Sequence, residues 1–182
     1  MKKDTSPVVV NKMAYRPVPM DLGFIVLCFD ADPYKPLTTL SSIDRAYPGA
    51  KTEMVSPPDF KHIHKSAITG KGSLTSLINA GMSKPPAEWN VIVMAGVRVK
   101  EQLDKKYSPF MESRLDIFFP LIFGFHNFLD APMNGLTIHR DTFKEVGKFA
   151  DDNPLEICKM MWFLEAHGKN CKFKAVAGCR MC

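Results

Sequence analysis

The chain has 182 residues, 46% of them hydrophobic and 24% charged, with a formal net charge of +5. That length suffices for one ordinary domain with a full core and no disulfide or metal staples. The longest apolar run, residues 117–125, is about half the ~20 residues a membrane-spanning helix needs, and the Lys2-Lys3 start leads to no cleavage-like signal, so composition predicts a soluble, cytoplasmic protein.

Residues 1–20 carry Pro7, Pro17 and Pro19 and read as an extended arm, leaving 21–182 as the folded domain. Residues 23–29 form a continuous apolar run, the pattern of a strand covered on both faces, and Asp30-Ala31-Asp32-Pro33 ends it. Leu37, Leu40, Ile43 and Ala46 predict a short helix with those side chains inward, closed by Tyr47-Pro48-Gly49. A second strand is expected over 51–55, and residues 60–72 read as a polar loop. Ser73 is the expected N-cap of a helix carrying Leu74, Leu77, Ile78 and Met82. Residues 89–95 read as a third buried strand.

Strand, helix, strand, helix, strand at this spacing predicts a parallel sheet with right-handed crossovers. Ligands then bind at the carboxyl ends of the strands, here Asp30-Ala31-Asp32, the stretch 56–59, and Met94 to Arg98. Beyond these, 98–107 reads as helical, while the aromatic-rich stretch 110–133 carries no clear period. Leu136 to His139 alternates like a strand, Asp141 is an expected cap for a helix through Phe149, Leu155 to His167 reads as an amphipathic helix ending at Gly168, and Lys172 to Val176 as a closing strand. Met160-Met161-Trp162-Phe163 reads as ordinary core.

The positive charge is spread, with its densest stretch at Lys61-His62-Ile63-His64-Lys65 followed by Lys71. There is no RNP-like, helix-turn-helix or zinc-finger pattern, so nucleic acid is not the expected partner; a small anion such as a nucleotide diphosphate accounts for the charge equally well. His62 and His64 alternate as two metal ligands on a strand would, without a third ligand nearby. Four of the five cysteines, Cys158, Cys171, Cys179 and Cys182, lie in the last 25 residues. They lack the two close pairs of a zinc site, and reduced thiols are expected. Gly70-Lys71-Gly72-Ser73 invites a phosphate-loop reading but is not a Walker motif, and serves equally as a plain loop.

Four stretches stand in a telling order: the strand at 23–29 with Leu37-x-x-Leu40-x-Ser42-Ile43 after it; Asn79-Ala80-Gly81; Asn134-Gly135-Leu136-Thr137-Ile138-His139-Arg140 with Phe143, Val146-Gly147 and Phe149; and Glu156 twelve residues before Gly168. Together they resemble family 2 glycosyltransferases of the GT-A type, the third most specifically. The resemblance implies a single Rossmann-like α/β domain with a mostly parallel central sheet flanked by helices. It also implies a nucleotide-diphosphate sugar as donor and a hydroxyl acceptor.

Two departures bear on chemistry. Counting fifteen residues from Asn79, the family's metal-binding D-x-D falls on Met94-Ala95-Gly96. A thioether, a methyl and a hydrogen cannot ligate the hard cation that those carboxylates hold, so no metal is expected; Arg98, Lys61, Lys65 and Lys71 are the basic residues that would neutralise a diphosphate instead. In the base motif Glu156 is kept but Ile157 and Lys159 replace the acidic residues that follow, which brings Asp151 and Asp152 into consideration as the general base.

Donor contacts are expected from Asp30, Asp32, Asp59, Lys71, Asn79, Gly96 and Arg98. For Asp30, Asp32 and Asp59 the alternative is turn formation beside proline, and for Asn79 and Gly81 helix packing. Two functions fit: an inverting, metal-independent transferase, and a GT-A-fold binding or assembly module without catalysis. The chain leaves little room for an acceptor-binding part, which supports the second; a homo-oligomer or a partner chain is the further partner considered.

Overall fold

The computed structural model describes residues 20–64, 68–100, 102–121, 129, 131–177 and 179. Residues 1–19 of the extended arm, Lys65, the rest of the apolar run after Leu121, and Cys182 therefore lie outside the described residues, while Met20 is buried in the core.

The first apolar run forms β1 (Leu22–Leu27), buried at every position. Its alternating side chains feed two cores: Ile25 and Leu27 face one, and Leu22, Phe24 and Val26 the other. The chain then forms α1 (Tyr34–Ala46), β2 (Lys51–Ser56), a 3-10 turn (Pro58–Phe60), α2 (Lys61–His64) and β3 (Ile68–Thr69). Next come α3 (Leu74–Ser83), β4 (Trp89–Met94), α4 (Leu103–Tyr107), a second 3-10 turn (Ser108–Phe110), β5 (Asp116–Pro120), β6 (Thr137–His139), α5 (Arg140–Val146), α6 (Leu155–Gly168) and β7 (Lys172–Val176).

The seven strands form one sheet in the order β3-β2-β1-β4-β6-β5-β7. β6 runs antiparallel to both its neighbours, β4 and β5, while the other pairings are parallel. α3, α5 and α6 cover one face through Leu77, Ile78, Phe143, Trp162 and Phe163, and α1 and α4 cover the other through Ile43, Leu103 and Tyr107. This is the mostly parallel, helix-flanked α/β sheet expected from the alternation of elements.

Five local expectations change. Residues 60–72 are not a loop throughout: α2 takes 61–64, replacing the strand on which His62 and His64 alternate, and β3 pairs with β2 through Val55–Ile68 and Ser56–Thr69. Two residues are too few for a periodic signal. α1 buries Pro36, Thr39 and Ile43 and leaves Leu37 59% exposed, because three-residue steps drift off a face that repeats every 3.6 residues. The expected helix at 98–107 begins only at Leu103, and the preceding residues run along α1, where the Ser42 hydroxyl accepts the Val99 N–H at 2.9 Å.

Met160 and Met161 are 41% and 49% exposed, and with Ile157 and Leu164 make an apolar outer stripe on α6; only Trp162 and Phe163 of that cluster are core. Finally, α5 stops at Gly147, whose φ of 102° an L side chain rarely adopts, and Phe149 lies beyond it.

The cap of α5 is His139 and not Asp141: His139 Nδ1 accepts the Asp141 N–H at 3.2 Å. Burial holds the His139 pKa below its ordinary value, outweighing the Asp141 carboxylate that would raise it. The unfolded chain therefore takes up this proton first as pH falls. We expect stability to be flat above pH ~6.5 and to decline below it. Urea titrations at pH 7.5 and 5.5 should show that decline, and His139→Asn, which keeps a capping side chain, should shrink it. An equal decline in the variant would assign the loss to other groups.

Candidate functional site

The order of strands reverses at β1. The chain passes from β1 outward to β2 and β3, then returns across the sheet to β4 on the other side of β1. In such sheets a crevice opens at the carboxyl ends of the two central strands, because the crossovers leave on opposite faces. Here those strand ends are Cys28-Phe29-Asp30-Ala31-Asp32 and Met94-Ala95-Gly96.

Asp30 and Asp32 fold the β1–α1 connection. Asp30 Oδ1 accepts the Asp32 N–H at 3.1 Å, and Asp32 Oδ1 accepts the Tyr34 N–H at 2.9 Å. Both are thus turn-formers, yet the second Asp30 oxygen faces outward to the Lys35 ammonium at 2.5 Å, with both side chains about half exposed. The hydrogen bond to Asp30, and then its charge, hold the Lys35 pKa above the ordinary lysine value. Lys35 is therefore a fixed cation at neutral pH.

The β4 end is bound to the same turn. Ala95 N–H donates to the Leu27 carbonyl at 2.9 Å, and Gly96 N–H lies 3.0 Å from the Lys35 carbonyl and 2.9 Å from Thr39 Oγ1. Thr39 donates in turn to the Val97 carbonyl at 2.8 Å. Gly96 has φ 98°, and a Cβ built there would sit 3.5 Å from the Lys35 side chain, so glycine lets the backbone take this turn against Lys35. Met94 N–H donates to Asn134 Oδ1 at 3.1 Å.

Asp30, Lys35 and Gly96 thus meet at the carboxyl ends of β1 and β4, and Thr39 and Asn134 hold the β4 end. Lys35, Thr39 and Asn134 escape the sequence reading. The available signals are the place of Lys35 in the first turn after an acidic strand end, and that of Asn134 opening the Asn-Gly motif. Cys28 beside them is no nucleophile: burial, with the Asp30 charge adding, pushes its thiol up to about 11.

The carboxylates considered as bases sit before and at the start of α6. Asp151 faces Lys71 at 3.8 Å, which brings the 70–73 loop against the α5–α6 connection. Asp152 accepts from the Asn153 amide at 2.9 Å. Glu156 is 75% exposed and pairs with Lys159 at 2.7 Å. Asp59 lies exposed on the 3-10 turn after β2.

Asn79 is engaged elsewhere. Its amide donates to the Phe149 carbonyl at 2.8 Å and accepts the Phe149 N–H at 2.9 Å, fixing α3 to the segment after α5. Ser73 caps α3 as expected, its hydroxyl accepting the Ser76 N–H at 3.2 Å.

The basic residues do not gather in one place. Lys71 lies on the α3 and α6 side, whereas Arg98 lines a groove on the outer flank of α1 with Arg45. The residues at the β4 end do not fit a divalent cation, and among the described residues no three His, Cys, Asp or Glu side chains are grouped closely enough to hold one. Among the described residues, Cys28, Cys158 and Cys171 are free thiols.

These features define an α/β domain with a glycosyltransferase-like fold. No protein-family model matches the chain, and no curated protein matches it in sequence. Solved structures do. S. aureus TarS aligns with a TM-score of 0.54 at 11% identity, over 88% of this chain and 37% of TarS. TarS 1–349 in complex with UDP-GlcNAc aligns at 0.58 and 12% identity over 88% of this chain and 59% of that one. The complex of the same fragment with UDP gives 0.53 at 12% identity over 86% and 59%. The chain therefore spans between about a third and three fifths of the proteins it resembles. Among the described residues no helix is long and apolar enough to cross a membrane.

Proposed function

We propose that this chain is the nucleotide-sugar-binding domain of a family 2-type glycosyltransferase that works without a metal. The observation that carries the reading is the meeting of Asp30, Lys35 and Gly96 at the switch between β1 and β4, in a fold shared with a protein solved with UDP and UDP-GlcNAc. Asp30 and Asp32, with Asp59 at the neighbouring strand end, are the acceptors for base and ribose donors. Lys35 at the β1 end, with Lys71 on the α3 and α6 side, supplies the positive charge that the D-x-D cation supplies elsewhere. Gly96 lets the diphosphate approach the backbone, and Asn79 keeps α3 in place.

For transfer, Asp151, Asp152 or Glu156 takes the proton of the acceptor hydroxyl, whose oxygen attacks the anomeric carbon as the bond to the diphosphate oxygen breaks. The electron pair leaves on the nucleotide diphosphate, where fixed cations stabilise it without reorganising. The Glu156–Lys159 pair at 2.7 Å and the apolar β4 end favour the second reading, a binding or assembly module without transfer.

Calorimetric titration of UDP, GDP and their sugar conjugates, with and without Mn²⁺, tests the site. We expect metal-independent binding of one nucleotide, weakened about tenfold or more by Lys35→Ala, because a charged hydrogen bond is lost. Glu156→Gln then separates the readings: a transferase using this base loses about 100-fold or more in turnover with nucleotide binding intact. No nucleotide binding under either condition would overturn both the donor site and the transferase.

A further inference from the structure

The outer flank of α1 carries a trough that the donor crevice does not use. One cavity of about 430 Å³ is lined by Tyr34, Leu37, Thr38, Ser41, Ser42, Arg45 and Arg98. A second, of about 440 Å³, is lined by Ser42, Arg45, Ala46, Arg98, Val99 and Lys100. The two share Ser42, Arg45 and Arg98, so they form one continuous groove between α1 and the segment 98–100. Each has the size of a small-ligand site.

Its charge is one-sided. Arg45, Arg98 and Lys100 line it, and among the described residues no carboxylate does; Asp44, the residue before Arg45 on the helix, is not among the lining residues. Among the described residues neither arginine nor Lys100 has an ion-pair partner, although ion pairs are common elsewhere on this surface. A position in the last turn of α1 accounts for Arg45, through the helix dipole. It does not account for Arg98, which stands on a separate segment and shares the same two cavities.

Two guanidinium groups on one groove, without a counter-ion among the described residues, match the oxygen geometry of a phosphoryl group, which each guanidinium can contact through two N–H donors. Thr38 and Ser41 add hydroxyl donors, while Ser42 is already occupied by the Thr39 carbonyl and the Val99 N–H. Exposed Tyr34 and Leu37 at one end offer apolar contact for the organic part of such a ligand.

We propose that this groove is a second anion site, separate from the donor crevice, which binds a phosphate-bearing small ligand through Arg45 and Arg98. The proposal does not depend on transfer, or on nucleotide binding. The phosphoryl group is either a terminal monoester or the link of a diester, and two probes distinguish these sources.

The full chain, with labelled arginine side chains, is titrated with glycerol 3-phosphate and with bis(glyceryl) phosphate, and the Arg45 and Arg98 Nε–H signals are followed by NMR. We expect saturable shifts at both arginines with at least one probe: the monoester alone identifies a terminal phosphate, and the diester a chain link. Arg45→Gln and Arg98→Gln, both at exposed positions, should each weaken binding about tenfold or more, and excess UDP should leave it unchanged. Absence of saturable shifts with both probes would overturn the proposal. So would equal binding by the double variant, or displacement of the probe by UDP, which would make the groove part of the donor site. Failure of UDP to bind at all leaves the arginine shifts as an independent readout.

Discussion

Asp116→Ala should lower the stability of the folded chain by about 3 kcal/mol, the scale for removing one partner of a buried, hydrogen-bonded ion pair. Asp116 opens β5 with a fully buried side chain, and its Oδ2 accepts the Glu112 N–H at 2.6 Å, the Ser113 N–H at 2.9 Å and the Lys174 ammonium at 3.1 Å. Without it, two backbone donors and a mostly buried lysine lose their shared acceptor. Lys174 keeps Glu112 at 3.2 Å and also donates to the Phe110 carbonyl. Oδ1 of Asp116 has no partner among the described residues, so its removal restores a little; both effects place the loss at the lower end of the scale.

Asp116 pairs in register with Lys172 at the amino end of β5, the end of the sheet away from the carboxyl ends of β1 and β4. Nucleotide binding by the folded fraction should therefore be unchanged. Urea denaturation measures the loss, and a second substitution, Lys174→Met, should recover part of it by removing the stranded charge. A midpoint within error of the parent would show that this cluster does not hold β5 to β7.

The second large effect is expected at Gly81. A Cβ at this position would lie 2.5 Å from Ile25 Cγ2 and 3.2 Å from Val55 Cγ2, two fully buried side chains on adjacent strands. These methyls are fixed close to the backbone and cannot swing away. Gly81→Val must lift α3 from the sheet, and overpacking of this kind costs about 1–3 kcal/mol, sometimes more. We expect about 2–3 kcal/mol from Gly81→Val and less from Gly81→Ala, where a gain of about 1 kcal/mol in helix propensity offsets part of the clash. Because the displaced helix carries Asn79 and follows the loop of Lys71, weaker nucleotide binding should accompany the loss. Unchanged stability in both variants would mean that α3 has slack against β1 and β2.

Much of the architecture is legible from residue order alone. The run at 23–29 is apolar without interruption, and that at 89–95 apolar but for Asn90, because β1 and β4 are central and covered on both faces. The cap Ser73 marks a helix start by chemistry that acts within one turn. Order and spacing of the four motifs anticipated a glycosyltransferase-like fold that overall sequence similarity, at 11–12% identity to TarS, barely registers.

Other features depend on contacts that no local pattern encodes. β3 is two residues long and β5 hides in an aromatic stretch; each is a strand because a neighbour from a different part of the chain offers it a ladder. Leu37 and Met160 carry core-like side chains but face outward, since the sheet, not hydrophobicity, sets which side of a helix is covered.

The site divides in the same way. Sequence placed Asp30, Asp32 and Gly96 at strand ends, since those ends follow from the strands themselves. Bringing the Gly96 turn to Lys35, turning Arg98 to Arg45 across α1, and committing Asn79 to Phe149 seventy residues away took the tertiary structure. The physical reason is one of range: backbone propensity and capping act over a few residues, whereas a side chain's partner is fixed only when the sheet order brings distant segments together.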